Sequence, residues 1–170
     1  MTPPLPASLG GATLFAWRFD QARYAATWDN GEGAFRNGGR WNNKGVRAVY
    51  CAIDPAVAIL EVAVHAGFNA LDTIPHVLTA ARILNPADIF VVDTATIPNA
   101  NWLRPGVPSS GQKAFGDSLL ASHKFILIPS AVSTHSWNLI FDPGKAASSY
   151  VLHAQEPFAL DTRLNPPTPP

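Results

Sequence analysis

The stretch RAVYCAIDPAVAILEVAVHAG, Arg47–Gly67, changes its period halfway along. Its first seven residues are a short apolar run that reads as a strand, with Tyr50 on the face of Ala48 and Ala52. Asp54 then offers an N-cap acceptor, and Pro55 sits in a first turn where its missing N–H costs nothing. A helix follows to Gly67, apolar on almost every side. On both sides of this unit the chain breaks into short apolar segments between Gly, Pro, Asn and Asp clusters, the pattern of many short strands. TLFAWRF (Thr13–Phe19) puts Leu14, Ala16 and Arg18 on one face and Phe15, Trp17 and Phe19 on the other. HVLTAARI, IFVVD, FILIP, NLIFD and SSYVLHAQEPFAL are further strands. A second helix spans about Ser110 to His123, capped by Ser109 or Ser110. Few helices within a mostly antiparallel strand set define an α+β domain.

Composition narrows the classes of function. The 170 residues are 47% apolar, enough for one ordinary domain with a substantial core. Twelve basic residues balance twelve acidic ones, so no broad phosphate-neutralising surface for nucleic acid is expected. The single Cys51 makes no internal disulfide and no Cys-based zinc site, and its apolar surroundings favour a buried structural thiol over a nucleophile. No apolar run approaches the ~20 residues that span a bilayer, and no charged-then-apolar leader opens the sequence, so a cytoplasmic protein is the default expectation. Residues 1–11 and 161–170 are proline-rich and read as extended or flexible.

Glu61 breaks the pattern of its helix. A carboxylate among Ile59, Leu60, Val62, Ala63 and Val64 is costly unless it is paired or hydrogen-bonded. Either it faces solvent on the one wet edge, or it forms the wall of a pocket, where it binds hydroxyls or stabilises positive charge. Arg40 lies in GGRWNNKG, where Gly38, Gly39 and Gly45 permit tight turns and close approach of a ligand. A guanidinium fork there suits a pyrophosphate or a carboxylate. Arg18 either projects outward from its strand or joins Arg40. Tyr50 is either a core tyrosine with one satisfied hydroxyl or a platform for a planar ring. Ser130 follows a proline at a strand end, a place for turn capping or hydrogen bonding, and no G-x-S-x-G marks it as a nucleophile. The five histidines are scattered and H-E-x-x-H is absent, so no metal is expected; no Walker loop or G-x-G-x-x-G follows a strand.

In order along the chain, WRF with Arg18, Tyr24-Ala25, GGRWNNKG, VYCA, DPAVAILEVAVHAG and IPSAVSTHSWNLIFDP resemble the RES domain family, over roughly Phe15 to Pro157. One departure is Phe141-Asp142-Pro143, where the family usually has Asn-Pro. The resemblance implies a RES domain over about residues 12–160 with a fold like that of ADP-ribosyltransferases and diphtheria-type toxins. It implies a toxin that consumes NAD⁺ as substrate, by hydrolysis or phosphorolysis of the nicotinamide–ribose bond, or else an ADP-ribosyltransferase acting on a protein. A non-catalytic binding module is the remaining alternative. An Xre-like helix-turn-helix antitoxin and a homodimer are the implied partners. The family's Arg, Glu and Ser fall on Arg18 or Arg40, Glu61 and Ser130. Arg18 and Arg40 are then expected on the pyrophosphate, Trp41 beside the dinucleotide, Tyr50 on the nicotinamide ring, and Ser130 with Asn138 around the nicotinamide ribose.

Overall fold

A computed structural model describes residues 13–106 and 108–167; the flexible segment expected over residues 1–11 lies outside them. Strands β1 (Phe15–Gln21), β2 (Val49–Ala52), β3 (His76–Ile83), β4 (Ile89–Val91), β5 (Phe125–Pro129), β6 (Trp137–Phe141) and β7 (Tyr150–Phe158) form one sheet, ordered β4-β5-β6-β2-β1-β3-β7. Only the β4–β5 pair is parallel. The helices among the described residues are α1 (Glu32–Asn37), α2 (Pro55–Ala66), α3 (Phe68–Thr73) and α4 (Ser110–Ser122). The expected caps are present: Asp54 accepts from the amides of Ala56 and Val57, and Ser109 accepts from Gln112. Neither α1 nor α3 is evident from the sequence, because glycine and asparagine around these single short runs read as loop. Residues 162–164 make a 3₁₀ turn, and Asn165 donates to Asp72 at 2.9 Å, so this part of the expected tail packs on α3. Among the described residues no helix is long and apolar enough to cross a membrane.

Both faces of the sheet are covered, so its central strands carry apolar side chains on both sides rather than alternating with polar ones. Phe125, Leu127, Trp137, Leu139, Phe141, Val49 and Cys51 point to one face and pack with Trp28 and Ala146. Ala81 and Ile83 of β3 join the same cluster from across β1 and β2, so the sheet curls around it. On the other face α2 covers Phe19 and Ala52, while α4 covers Ile126, Ile128 and Ile140.

The sheet has a seam. β1 and β2 share a single bridge, Trp17 opposite Ala52, whereas β1 pairs with β3 along seven positions. Because Ile53 N bonds Trp137 O, the antiparallel alternation turns the backbone of Tyr50 away from β6 and toward β1. No strand partner meets its carbonyl there. Arg18 Nη1 donates to that carbonyl instead, at 2.8 Å, and so bridges the gap.

Candidate functional site

Glu61 follows Val57 by four residues and Ala58 by three, which places it on the inward side of α2 with those two buried residues. The sheet meets it with two donors. Ser130 Oγ donates to Glu61 Oε1 at 2.8 Å, and Asn138 Nδ2 donates to the same oxygen at 2.9 Å. The wet-edge alternative for Glu61 is therefore excluded. Asn138 lies opposite Ile128 of β5 and Ala52 of β2, and Ser130 follows the end of β5, so sheet register aims both at α2. Ser130 is fully buried, and its Oγ accepts from the amides of Val132 (3.1 Å) and Ser133 (3.0 Å). It caps the β5–β6 turn and fixes the carboxylate together. Among the described residues Oε2 of Glu61 has no hydrogen-bond partner. The carboxylate is thus anchored by one oxygen and presents the other.

Tyr50 joins this corner to the glycine-framed loop. It sits beside Ala52 on the same sheet face, diagonal to Asn138 across the β2–β6 ladder. Its hydroxyl donates to Asn42 Oδ1 at 2.7 Å and accepts from the Trp41 amide at 3.0 Å. Burial raises the pKa of this phenol well above the ordinary tyrosine value, opposed by the Trp41 amide, so the group stays a donor. Asn42 is fully buried, with Nδ2 within 3.0–3.1 Å of the carbonyls of Ala34, Asn43 and Val46. Sequence reasoning passed over Asn42; the signal was an asparagine pair inside a glycine frame, which needs internal bonding to hold shape. Gly39 is required where it stands, since a Cβ would collide with the Tyr50 hydroxyl and Asn42 Oδ1. Arg40 Nη1 donates to Trp102 O at 2.8 Å, and among the described residues Nε and Nη2 have no acceptor.

Two expectations need correction. Trp41 is 2% exposed, its ring tilted against Trp102 at 5.8 Å within the core, so it supports the loop from beneath and offers a ligand no face. Arg18 does not stand free beside Arg40. It leaves β1 on the face of Leu14 and Ala16, opposite Phe19 and α2, and holds Asp20 in a bidentate pair at 2.6 and 2.9 Å. With Nη1 on the Tyr50 carbonyl, all three of its nitrogens are engaged. Cys51 is the buried structural thiol expected: burial pushes its pKa up to about 12, against the pull of Arg18, which leaves essentially no thiolate near neutrality.

The cluster Glu61, Ser130, Asn138 and Tyr50, with Arg40 on the adjoining loop, can hold a polar ligand and stabilise a cation beside one open carboxylate oxygen. A separate depression of about 560 Å³, lined by Val46, Asp117, Leu120, Ala121, Asp142 and Lys145, touches none of these groups; concavity alone does not locate the chemistry. Among the described residues no group of three His, Cys, Asp or Glu side chains is placed to hold a metal ion.

Comparison with known proteins places the chain by sequence and by fold. The chain is 33% identical over 155 residues to a protein named Toxin Res from Photorhabdus laumondii, covering 89% of this chain and 97% of that one. It is 29% identical over 146 residues to the Prs ADP-ribosylating toxin of Sphingobium sp. strain YBL2, covering 77% and 83%. In structure it resembles a chain of the MbcT–MbcA toxin–antitoxin complex of M. tuberculosis, with a TM-score of 0.63 at 19% identity over 86% and 85% of the two chains. That likeness gives the fold, an α+β arrangement of the ADP-ribosyltransferase kind. The RES domain profile matches residues 15–161, and the chain belongs to the RES domain family.

Proposed function

We propose that this chain is a toxin that consumes NAD⁺ by breaking the bond between nicotinamide and ribose, and that a cognate antitoxin, of the Xre helix-turn-helix type, restrains it. The observation that carries the reading is the Glu61 carboxylate, tied through Oε1 to Ser130 and Asn138 and open at Oε2. Nicotinamide in NAD⁺ is already a cationic leaving group. The C–N bond breaks with its electron pair going to the ring nitrogen, which leaves as neutral nicotinamide. Positive charge then grows on the ribose C1–O4 unit. A fixed carboxylate beside it is a preorganised counter-charge, and groups of this kind are worth ~10²–10³ in rate.

The neighbouring side chains take matching parts. Glu61 Oε2 accepts a ribose hydroxyl and faces the developing cation. Tyr50 offers its ring edge or face to nicotinamide while its hydroxyl stays with the loop. Arg40 holds the diphosphate through its two uncommitted nitrogens, with loop amides assisting. Arg18 braces the seam beneath Tyr50 and reaches an anion only by giving up Asp20. Water captures the cation with loss of a proton, or phosphate captures it through an oxygen. Purified protein incubated with NAD⁺ should release nicotinamide, and Glu61→Gln, nearly isosteric, should lower that release ~10²–10³-fold with the fold intact. Full activity in the variant refutes the reading.

The relative named as an ADP-ribosylating toxin favours a second acceptor, a side chain of a target protein. Labelled NAD⁺ in cell extract separates the two: a labelled protein band marks transfer, and free ADP-ribose marks hydrolysis. Dependence on added phosphate marks phosphorolysis.

A further inference from the structure

We propose that one face of α4, formed by Gln112, Gly116 and Asp117, is the positioning device for Arg40 and thereby sets affinity for the anionic part of the ligand. The proposal rests on the assignment of Arg40 to the diphosphate. Within the loop from Gly38 to Gly45, Gly39 N bonds Asn42 O, while Gly45 N bonds Phe35 O of α1. A loop so framed by glycine orders a guanidinium only if something outside the loop holds it. Positions 112, 116 and 117 fall on one side of α4 at helical spacing, and that side meets the loop at Arg40, Trp41 and Asn43.

At Arg40, the fully buried Gln112 has Nε2 3.4 Å from the backbone carbonyl. At Trp41, the carbonyl lies so close to Gly116 that a Cβ there would collide with it. Glycine inside a helix is otherwise unfavourable, so close approach of loop and helix is its evident use. At Asn43, the Asp117 carboxylate accepts from the backbone N at 3.0 Å and from Nδ2 at 2.7 Å. Gln112 also reaches the far end of Arg40. Its Oε1 accepts from Asn99 at 2.8 Å, and Asn99 opens the turn whose Trp102 carbonyl takes the Arg40 guanidinium. One helix face therefore fixes both the backbone of Arg40 and the acceptor that orients its side chain. None of the three residues belongs to the Glu61 cluster, and each acts through Arg40.

The test uses the full chain as wild type, as Asp117→Asn, as Asn43→Asp, and as the two changes together. Asn43→Asp sets carboxylate against carboxylate, and Asp117→Asn replaces two charge-assisted bonds with weaker neutral ones; the double change restores one charged acceptor and one donor. Each single variant should raise KM for NAD⁺ about tenfold with kcat held within about threefold. Each should also speed hydrogen exchange of amides 39–45 without affecting β5 and β6. The double variant should recover both. Unchanged KM and loop exchange in the single variants overturn the proposal, as does a lowered thermal midpoint with KM unmoved. A double variant with wild-type thermal stability but unrecovered KM also overturns it. Exchange is read without NAD⁺, so a wild type that releases no nicotinamide defeats the functional reading while the loop amides still judge the clamp.

Discussion

Ser130 Oγ stands 2.8 Å from Glu61 Oε1, linking the end of β5 to the inward side of α2. The same hydroxyl oxygen accepts two amides of the β5–β6 turn, so a single fully buried serine fixes a loop and a carboxylate at once. Ser130→Ala orphans the Val132 and Ser133 amides, and a buried unsatisfied group costs about 1–3 kcal/mol. Chemical denaturation should show a loss of that order. Nicotinamide release should fall about ten- to a hundredfold, less than for Glu61→Gln, because Asn138 still holds the carboxylate. A variant as active as wild type would separate Ser130 from the carboxylate's function.

Tyr50→Phe removes the hydroxyl that joins Asn42 to the Trp41 amide. The ring remains, so stacking is preserved while the loop loosens. We expect about 1–3 kcal/mol of destabilisation and a higher KM for NAD⁺ with little change in kcat. Steady-state kinetics beside a thermal melt measure both, and an unchanged KM counts against the coupling of Tyr50 to the Arg40 loop.

Asp20→Asn takes the carboxylate away from Arg18 but keeps the side chain's size. Arg18 retains its bond to the Tyr50 carbonyl and gains an uncompensated charge. Affinity for ADP-ribose should rise about three- to tenfold at low salt, and the gain should shrink as ionic strength rises. Calorimetric titration at two salt concentrations decides; weaker binding would mean that the ion pair serves chiefly to keep the seam in shape.

Alkaline stability should report on the two groups buried at the seam. The Cys51 thiol and Tyr50 phenol both have folded-state pKa values raised by burial above their ordinary 9.0 and 10.0. The unfolded chain therefore ionises first, so their contribution is complete below pH 9 and declines as pH climbs toward and through the folded-state values. Urea midpoints should hold from pH 7 to 8 and fall steadily above 9. Cys51→Ala should flatten the first part of that fall, and an unaltered profile in this variant would assign it elsewhere.

Much of this was legible along the chain because the signals were local. Asp54-Pro55 and Gly67 bound α2, since capping and left-handed backbone are properties of neighbouring residues. Glu61 stood out because a carboxylate within an apolar helix conflicts with its neighbours wherever that helix packs. The motif order that marks the RES domain is likewise a property of the linear chain. What distance along the chain conceals was decided by tertiary structure. Register on the sheet set Asn138 and Ser130 onto one oxygen of Glu61. The single Trp17–Ala52 bridge left a carbonyl for Arg18 to satisfy, which drew that arginine away from its expected partner. Trp41 went into the core because α4, some seventy residues later, presents Gly116 where the loop must pass. Hydrogen bonds and close contacts between remote segments depend on which backbones the fold brings within a few ångströms, and no local preference encodes that.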